Sequence, residues 1–86
     1  LGTLEDMVIA ACVLEMARER GPGKTLCPSE VARRLDPEDW EPLMPRVRLA
    51  AAKLAAERKV RVTQQGVEVD PLLVSGPFRI GVVAAE

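Results

Sequence analysis

Apolar residues recur at helical spacing over three stretches of this chain, about 4–20, 28–35 and 43–58, after which the spacing falls to two. In the first stretch Met7, Ala10, Ala11, Leu14 and Ala17 share one face. Ile9, Val13 and Met16 form a second, so the helix is expected to be covered on more than one side. Its remaining stripe reads Glu5, Val8, Cys12, Glu15, Glu19. Thr3 with Asp6 three residues on has the spacing of a capping box, and Pro22 between Gly21 and Gly23 stops the helix.

The next segment, Lys24 to Leu26, reads as extended, and CPSEVARRL then opens a second helix with Pro28 in the first helical position. Cys27 falls at its N-cap and Glu30 three residues later. Val31, Ala32 and Leu35 point inward, Arg33 and Arg34 outward. Asp36, with Asp39 three on, looks like another cap starting a short turn that carries Trp40. Pro42 and Pro45 each push the preceding residue out of the helical region, so the third helix starts between them. At 100° per residue Val47, Ala50, Ala51 and Leu54 make its buried face, Arg46 and Arg48 flank that face, and Leu49, Ala52, Lys53 and Ala56 look outward.

Alternation takes over at Val60. Val60 and Val62 share a face, as do Val67 and Val69, and Gly66 supplies the positive φ of a hairpin. A two-residue loop at Gln65-Gly66 and a four-residue loop ending at Gly66 both keep the valines aligned, so facing follows from the pattern and register does not. After Gly76-Pro77 a final strand, about 78–82, alternates Phe78, Ile80 and Val82 with Arg79. The expected fold is mainly α with a small β-sheet: a single winged helix-turn-helix domain over 1–86, with three helices and a wing over about 60–70.

At 86 residues one core is all the chain can build, and with one Trp and one Phe that core must be aliphatic. Stacking platforms for single strands need more rings than this. No apolar run reaches the ~20 residues of a membrane span, and the N-terminus lacks the basic region and cleavage site of a secretory leader, so a cytoplasmic location is expected. Leu1 is not a start methionine, and the native chain can extend before it. Cys12 and Cys27 lie on different elements and are expected as free thiols. Without histidine the usual zinc sets lack ligands, so neither metal nor cofactor is expected.

In order along the chain, CPSEVARRL, DPEDW, LM, VR, a run of alanines, VEVDP and GPFRI resemble the bacterial family catalogued as domain of unknown function 3253. The resemblance covers roughly Ile9 to Ile80. It implies a winged-helix fold and no assigned activity. Two positions depart from the pattern: Glu41 stands where an Arg follows the Trp, and Lys59 where a Gly commonly closes the helix.

Charge raises the functional question. From Arg46 to Arg61 six basic residues (Arg46, Arg48, Lys53, Arg58, Lys59, Arg61) stand against Glu57, a local net charge of +5 in a chain at −1. Read as a nucleic-acid module, Arg46, Arg48 and Lys53 would contact DNA phosphates or base edges and Arg61 in the wing the backbone. Cations in a first helical turn cost roughly 0.3–1 kcal/mol each, which a phosphate bound there would relieve. The alternative is internal: Asp36, Glu38, Asp39 and Glu41 lie just upstream, could pair with those arginines, and would repel a DNA backbone. The chain would then be a protein-interaction or dimerisation module without DNA binding. Its surfaces would be Val8 and Cys12 on the first helix or the alanine-rich outer face of the third.

Other residues invite chemistry less strongly. Trp40 can be an interface hot spot, or, as preferred, a plug between the second and third helices. Arg79 can meet a ligand or return to the acidic Asp36–Glu41 run. Cys27 is a candidate reactive thiol, because a helix N-terminus favours an anion and Lys24 is close in the chain; no histidine can complete a dyad, so no enzyme is expected. GPGKT is not a phosphate loop, since Arg18 stands where the first glycine belongs and a helix precedes it.

Overall fold

The computed structural model describes residues 5–83. Helix α1 (Asp6–Arg20), strand β1 (Thr25–Leu26), helix α2 (Pro28–Leu35), a 3₁₀ turn (Glu41–Leu43) and helix α3 (Met44–Ala56) precede strands β2 (Val60–Gln64), β3 (Val67–Glu68) and β4 (Arg79–Val82). The sheet is antiparallel throughout, in the order β1-β4-β2-β3. Three helices with a terminal hairpin and a returning strand make this a winged-helix-like α+β fold.

Local chemistry accounts for most boundaries. The first helix begins at Asp6, later than expected, because Glu5 is extended (φ −77°, ψ 150°); the Thr3 cap lies outside the described residues. Gly21, at φ 92°, closes α1 with its N–H on the Ala17 carbonyl. Asp36 Oδ1 accepts from the N–H groups of Glu38 and Asp39 at 3.2 and 3.0 Å, so the anticipated cap forms, but it shapes the turn before Trp40 and no helix grows from it. Helix α3 stops at Ala56, two residues short of the expectation: Glu57 has ψ near 0° and Arg58 is left-handed at φ 62°.

The hairpin settles the open register. Gln64 pairs with Val67 and Thr63 with Glu68, leaving a two-residue loop in which Gln65 (φ 54°) and Gly66 (φ 83°) both have positive φ, a type I′ turn. The valines face as the alternation requires, with the Val69 N–H on the Val62 carbonyl. Burial is unequal, however. Val60 and Val62 are in the core, whereas Val67 at the hairpin tip projects beyond it and is 65% exposed.

The core gathers Ile9, Val13, Leu26, Val31, Val47, Ala51, Val60, Val62, Phe78 and Ile80 between the three helices and one sheet face. On α1 the buried set is Ile9, Cys12, Val13, Met16 and Ala17. This corrects the two-faced reading: Met7 and Ala11, assigned to a covered face, are exposed, because α1 packs on the core along one stripe. Cys12, read as an exposed dimer contact beside Val8, is buried and donates to Met16 Sδ at 3.8 Å; Val8 is indeed exposed. Gly81 lets β4 approach β1, since a Cβ there would lie 3.2 Å from the Lys24 carbonyl oxygen.

Phe78 is the largest fully buried side chain. Truncating Phe78→Ala is expected to cost about 3–5 kcal/mol, most of the stability of a domain this size, and urea titration followed by circular dichroism measures it.

Candidate functional site

Every cation proposed as a DNA contact can now be placed. Arg46, in the first turn of α3, lays its Nε and Nη2 on Asp6 Oδ1 of α1 at 3.3 and 3.0 Å. Arg48 turns inward: its Nη1 donates to the carbonyls of Pro71 and Val74, and its guanidinium lies 4.8 Å from the centroid of the buried Phe78 ring. Both arginines thus have partners within the chain, but these are not the acidic Asp36–Glu41 run expected to pair with them. Within that run Asp36 is engaged with the backbone N–H groups of Glu38 and Asp39. Arg61 reaches across the hairpin to Glu68 at 3.0 Å. Of the four, Lys53 alone is both on the outer face of α3 and without an ion pair among the described residues.

The outer face of α3 is consequently apolar. Leu49 is exposed and Ala52, Ala56 and Lys53 continue the surface. Across from them the segment after the wing, Val69 to Leu72, forms the second wall of a hollow of about 660 Å³ whose charged members are Lys53, Glu68 and Asp70. Asp70 Oδ1 accepts from the Leu72 N–H at 2.8 Å and holds the turn in place, leaving Leu73 at its tip 83% exposed. Leu49 also borders a second hollow of about 530 Å³ between α1 and α3, where Met7, Ala10, Ala11 and Leu14 meet the charged side chains of Asp6, Arg46, Lys53, Glu57 and Lys59. Exposed Met7, Leu49 and Leu72 thus line these two hollows between charged side chains, with exposed Leu73 next to Leu72, and the Leu72–Leu73 contribution is a feature that reading α3 alone missed. Its signal in the sequence was the Leu72-Leu73-Val74 run in a segment with no predicted element.

A polar cluster occupies the other end of the domain. Glu30 accepts from the Cys27 N–H at 2.8 Å and from Arg20 Nη2 at 2.6 Å, the capping geometry expected of CPSE. Those hydrogen bonds hold the Glu30 carboxyl below its ordinary value, the Cys27 N–H contributing most. Arg79 corrects a second pairing. It binds Thr25 through Oγ1 at 2.9 Å and the carbonyl at 3.3 Å, and its Nη1 meets Cys27 Sγ. Its partners thus lie where β1 runs into α2, and not in the acidic run. A cation beside the Cys27 thiol is thus Arg79, while burial pushes the Cys12 thiol up from its ordinary value. Both cysteines are free. Trp40 is half-buried against the core, and Arg33, exposed as expected, stacks 4.5 Å from its ring centroid.

Among the described residues no helix is long and apolar enough to cross a membrane, and no group of three or more His, Cys, Asp or Glu is placed to hold a metal ion. The architecture defines a small winged-helix-like α+β domain with exposed apolar residues on the outer face of α3. The family model described as protein of unknown function (DUF3253) matches residues 6–83, and the chain belongs to that family. No curated protein matches it.

Two outcomes check the roles assigned to charged residues. Arg48→Ala should destabilise the fold by about 2 kcal/mol, because two carbonyls lose a charged donor and the 70–78 segment its anchor; Arg48→Lys should recover only part of it in thermal melts. Glu30→Gln should be less stable than the native chain by about 0.5–1 kcal/mol at neutral pH. Since the folded carboxyl titrates below its ordinary 4.5, the difference is full above that value and vanishes as pH falls through the lowered folded value, which melts over an acid pH series detect.

Proposed function

We propose that the chain is a protein-interaction module that pairs with a second copy of itself through the outer face of α3 and the Val69–Leu73 segment. The observation that carries this is the chemistry of the recognition face. Where a winged helix would present reading side chains, this one presents Leu49, Ala52 and Ala56 with Lys53 as the cation, while Arg46 and Arg48 are engaged inside the chain.

A second copy is favoured as the occupant because a two-fold interface must be self-complementary. This patch carries both halves of such a contact. Leu72 and Leu73 form a projection, and beside them the alanine floor between Leu49 and Val69 forms a hollow. Charges of both signs border it, so Lys53 of one copy can face Glu68 and Asp70 of the other. Small side chains at Ala52 and Ala56 allow close approach, and exposed leucines supply the apolar area that drives association.

Sedimentation equilibrium tests this directly. The mass should rise with concentration from the 9.3 kDa of one chain toward twice that value. Leu73→Asp should hold it at one chain, and Lys53→Glu should weaken association by about three- to tenfold at low salt. A single-chain mass at all concentrations, or association untouched by Leu73→Asp, would sink the proposal. Duplex DNA binding that disappears on Lys53→Glu would return this face to nucleic-acid reading.

A further inference from the structure

Between the buried side chains of Pro71 and Phe78 the chain crosses the surface without helix or strand. Leu72, Leu73, Ser75, Gly76 and Pro77 are exposed along this strap. Among the described residues its hydrogen bonds to other backbone stay inside one turn, where the N–H groups of Leu73 and Val74 meet the Asp70 carbonyl. Side chains from two other elements tie the rest down. Arg48 of α3 donates to the carbonyls of Pro71 and Val74. Gln64, the last residue of β2, donates through Nε2 to the carbonyls of Ser75 and Pro77 at 2.8 and 3.1 Å.

Carbonyl oxygens only accept, so the Gln64 amide turns its NH2 to the strap and spends both hydrogens there. The two carbonyls converge on one nitrogen because Gly76 between them holds φ 85°, a left-handed position open to glycine. A Cβ at Gly76 would lie 3.9 Å from Nε2, so the turn packs directly on the amide. Exposed hydrogen bonds of this kind add little to folding, since each replaces one to water. Their larger effect is on order. A surface segment without ladder hydrogen bonds samples many conformations unless something holds it, and ordering it on contact would subtract from affinity.

We infer that Gln64 is a positioning residue for self-association: it holds the 72–77 strap in the conformation that presents Leu72 and Leu73 before a partner arrives. The inference rests on the reading of this face as a contact with a second copy. Gln64 is outside the lining of the hollow beside Leu72, so it acts through the strap. Once the strap is released, only the fraction of chains in the competent conformation can pair. The apparent dissociation constant rises by the inverse of that fraction.

Two substitutions separate donor chemistry from shape. Gln64→Met keeps the length and neutrality of the side chain and removes both donors, whereas Gln64→Lys supplies donors on a stem of similar reach. Thermal melts set a temperature at which every variant is folded. In sedimentation equilibrium, with salt enough to screen the added charge, Gln64→Met should weaken association by about five- to tenfold and Gln64→Lys by less than about twofold. Backbone order parameters of residues 72–77, measured in the Leu73→Asp background to observe single chains, should fall from about 0.85 to about 0.6 in Gln64→Met and stay high in Gln64→Lys. The inference is overturned if Gln64→Met associates as tightly as the native chain, if association weakens while the order parameters hold, or if Gln64→Lys is as weak as Gln64→Met. A native chain that stays single at every concentration overturns the self-association reading instead, and the order parameters still decide whether Gln64 holds the strap.

Discussion

Strand β4 holds this domain together. It pairs with β1 on one side and β2 on the other, joining the start of the chain to the wing in one sheet. Period-two alternation then sends Ile80 and the preceding Phe78 into the core and Arg79 to the opposite face. The close β1–β4 approach depends on Gly81, where any side chain would press on the Lys24 carbonyl. In a chain with one Phe and one Trp, burying Phe78 against aliphatic residues is a large share of the available apolar stabilisation. Arg48 draws the preceding segment onto α3, so the same ring is packed beneath a guanidinium that also binds two backbone carbonyls.

This packing decides what α3 can do. A helix offers a binding partner only the side chains the core leaves over. Here Arg48 goes to the 71–74 carbonyls and Arg46 to α1. A guanidinium suits that inward role better than an ammonium, because its planar fork serves two carbonyls and stacks on a ring at once. What remains outward is Leu49, Ala52, Lys53 and Ala56, and the turn fixed by Asp70 sets Leu72 beside them. A net charge of +5 along the sequence thus leaves exposed apolar residues at the middle of α3, with Lys59 and Arg61 beyond its end paired to Glu57 and Glu68.

Element by element, much of this was legible. Pro28 and Glu30 mark the start of α2, Gly21 the end of α1, and the valine alternation the facing of the hairpin, because each depends on contacts within a few residues. Family resemblance and fold were legible on the same ground. The register of the wing was not: Gln65 in the left-handed region is required by two-residue closure, and nothing in a glutamine announces it. The buried stripe of α1 was misread for a related reason. Its apolar residues surround much of the helix, and a periodicity cannot choose among faces that are all apolar.

Partners across long sequence separations were beyond the sequence altogether. Arg46 finds Asp6 forty residues away and Arg79 finds Thr25 fifty-four residues away, although a run of carboxylates lies much nearer to Arg46 along the chain. Proximity in sequence is a poor guide here, because the packing of α1 against α3 brings Asp6 to Arg46 while Asp36 is held by the N–H groups of its own turn. Local propensity and alternation, acting over a few residues each, were enough to specify three helices, a wing and a returning strand. Which face of α1 is buried, where each arginine ends and which surface is left apolar depend on how those elements pack. Packing is a property of all of them at once.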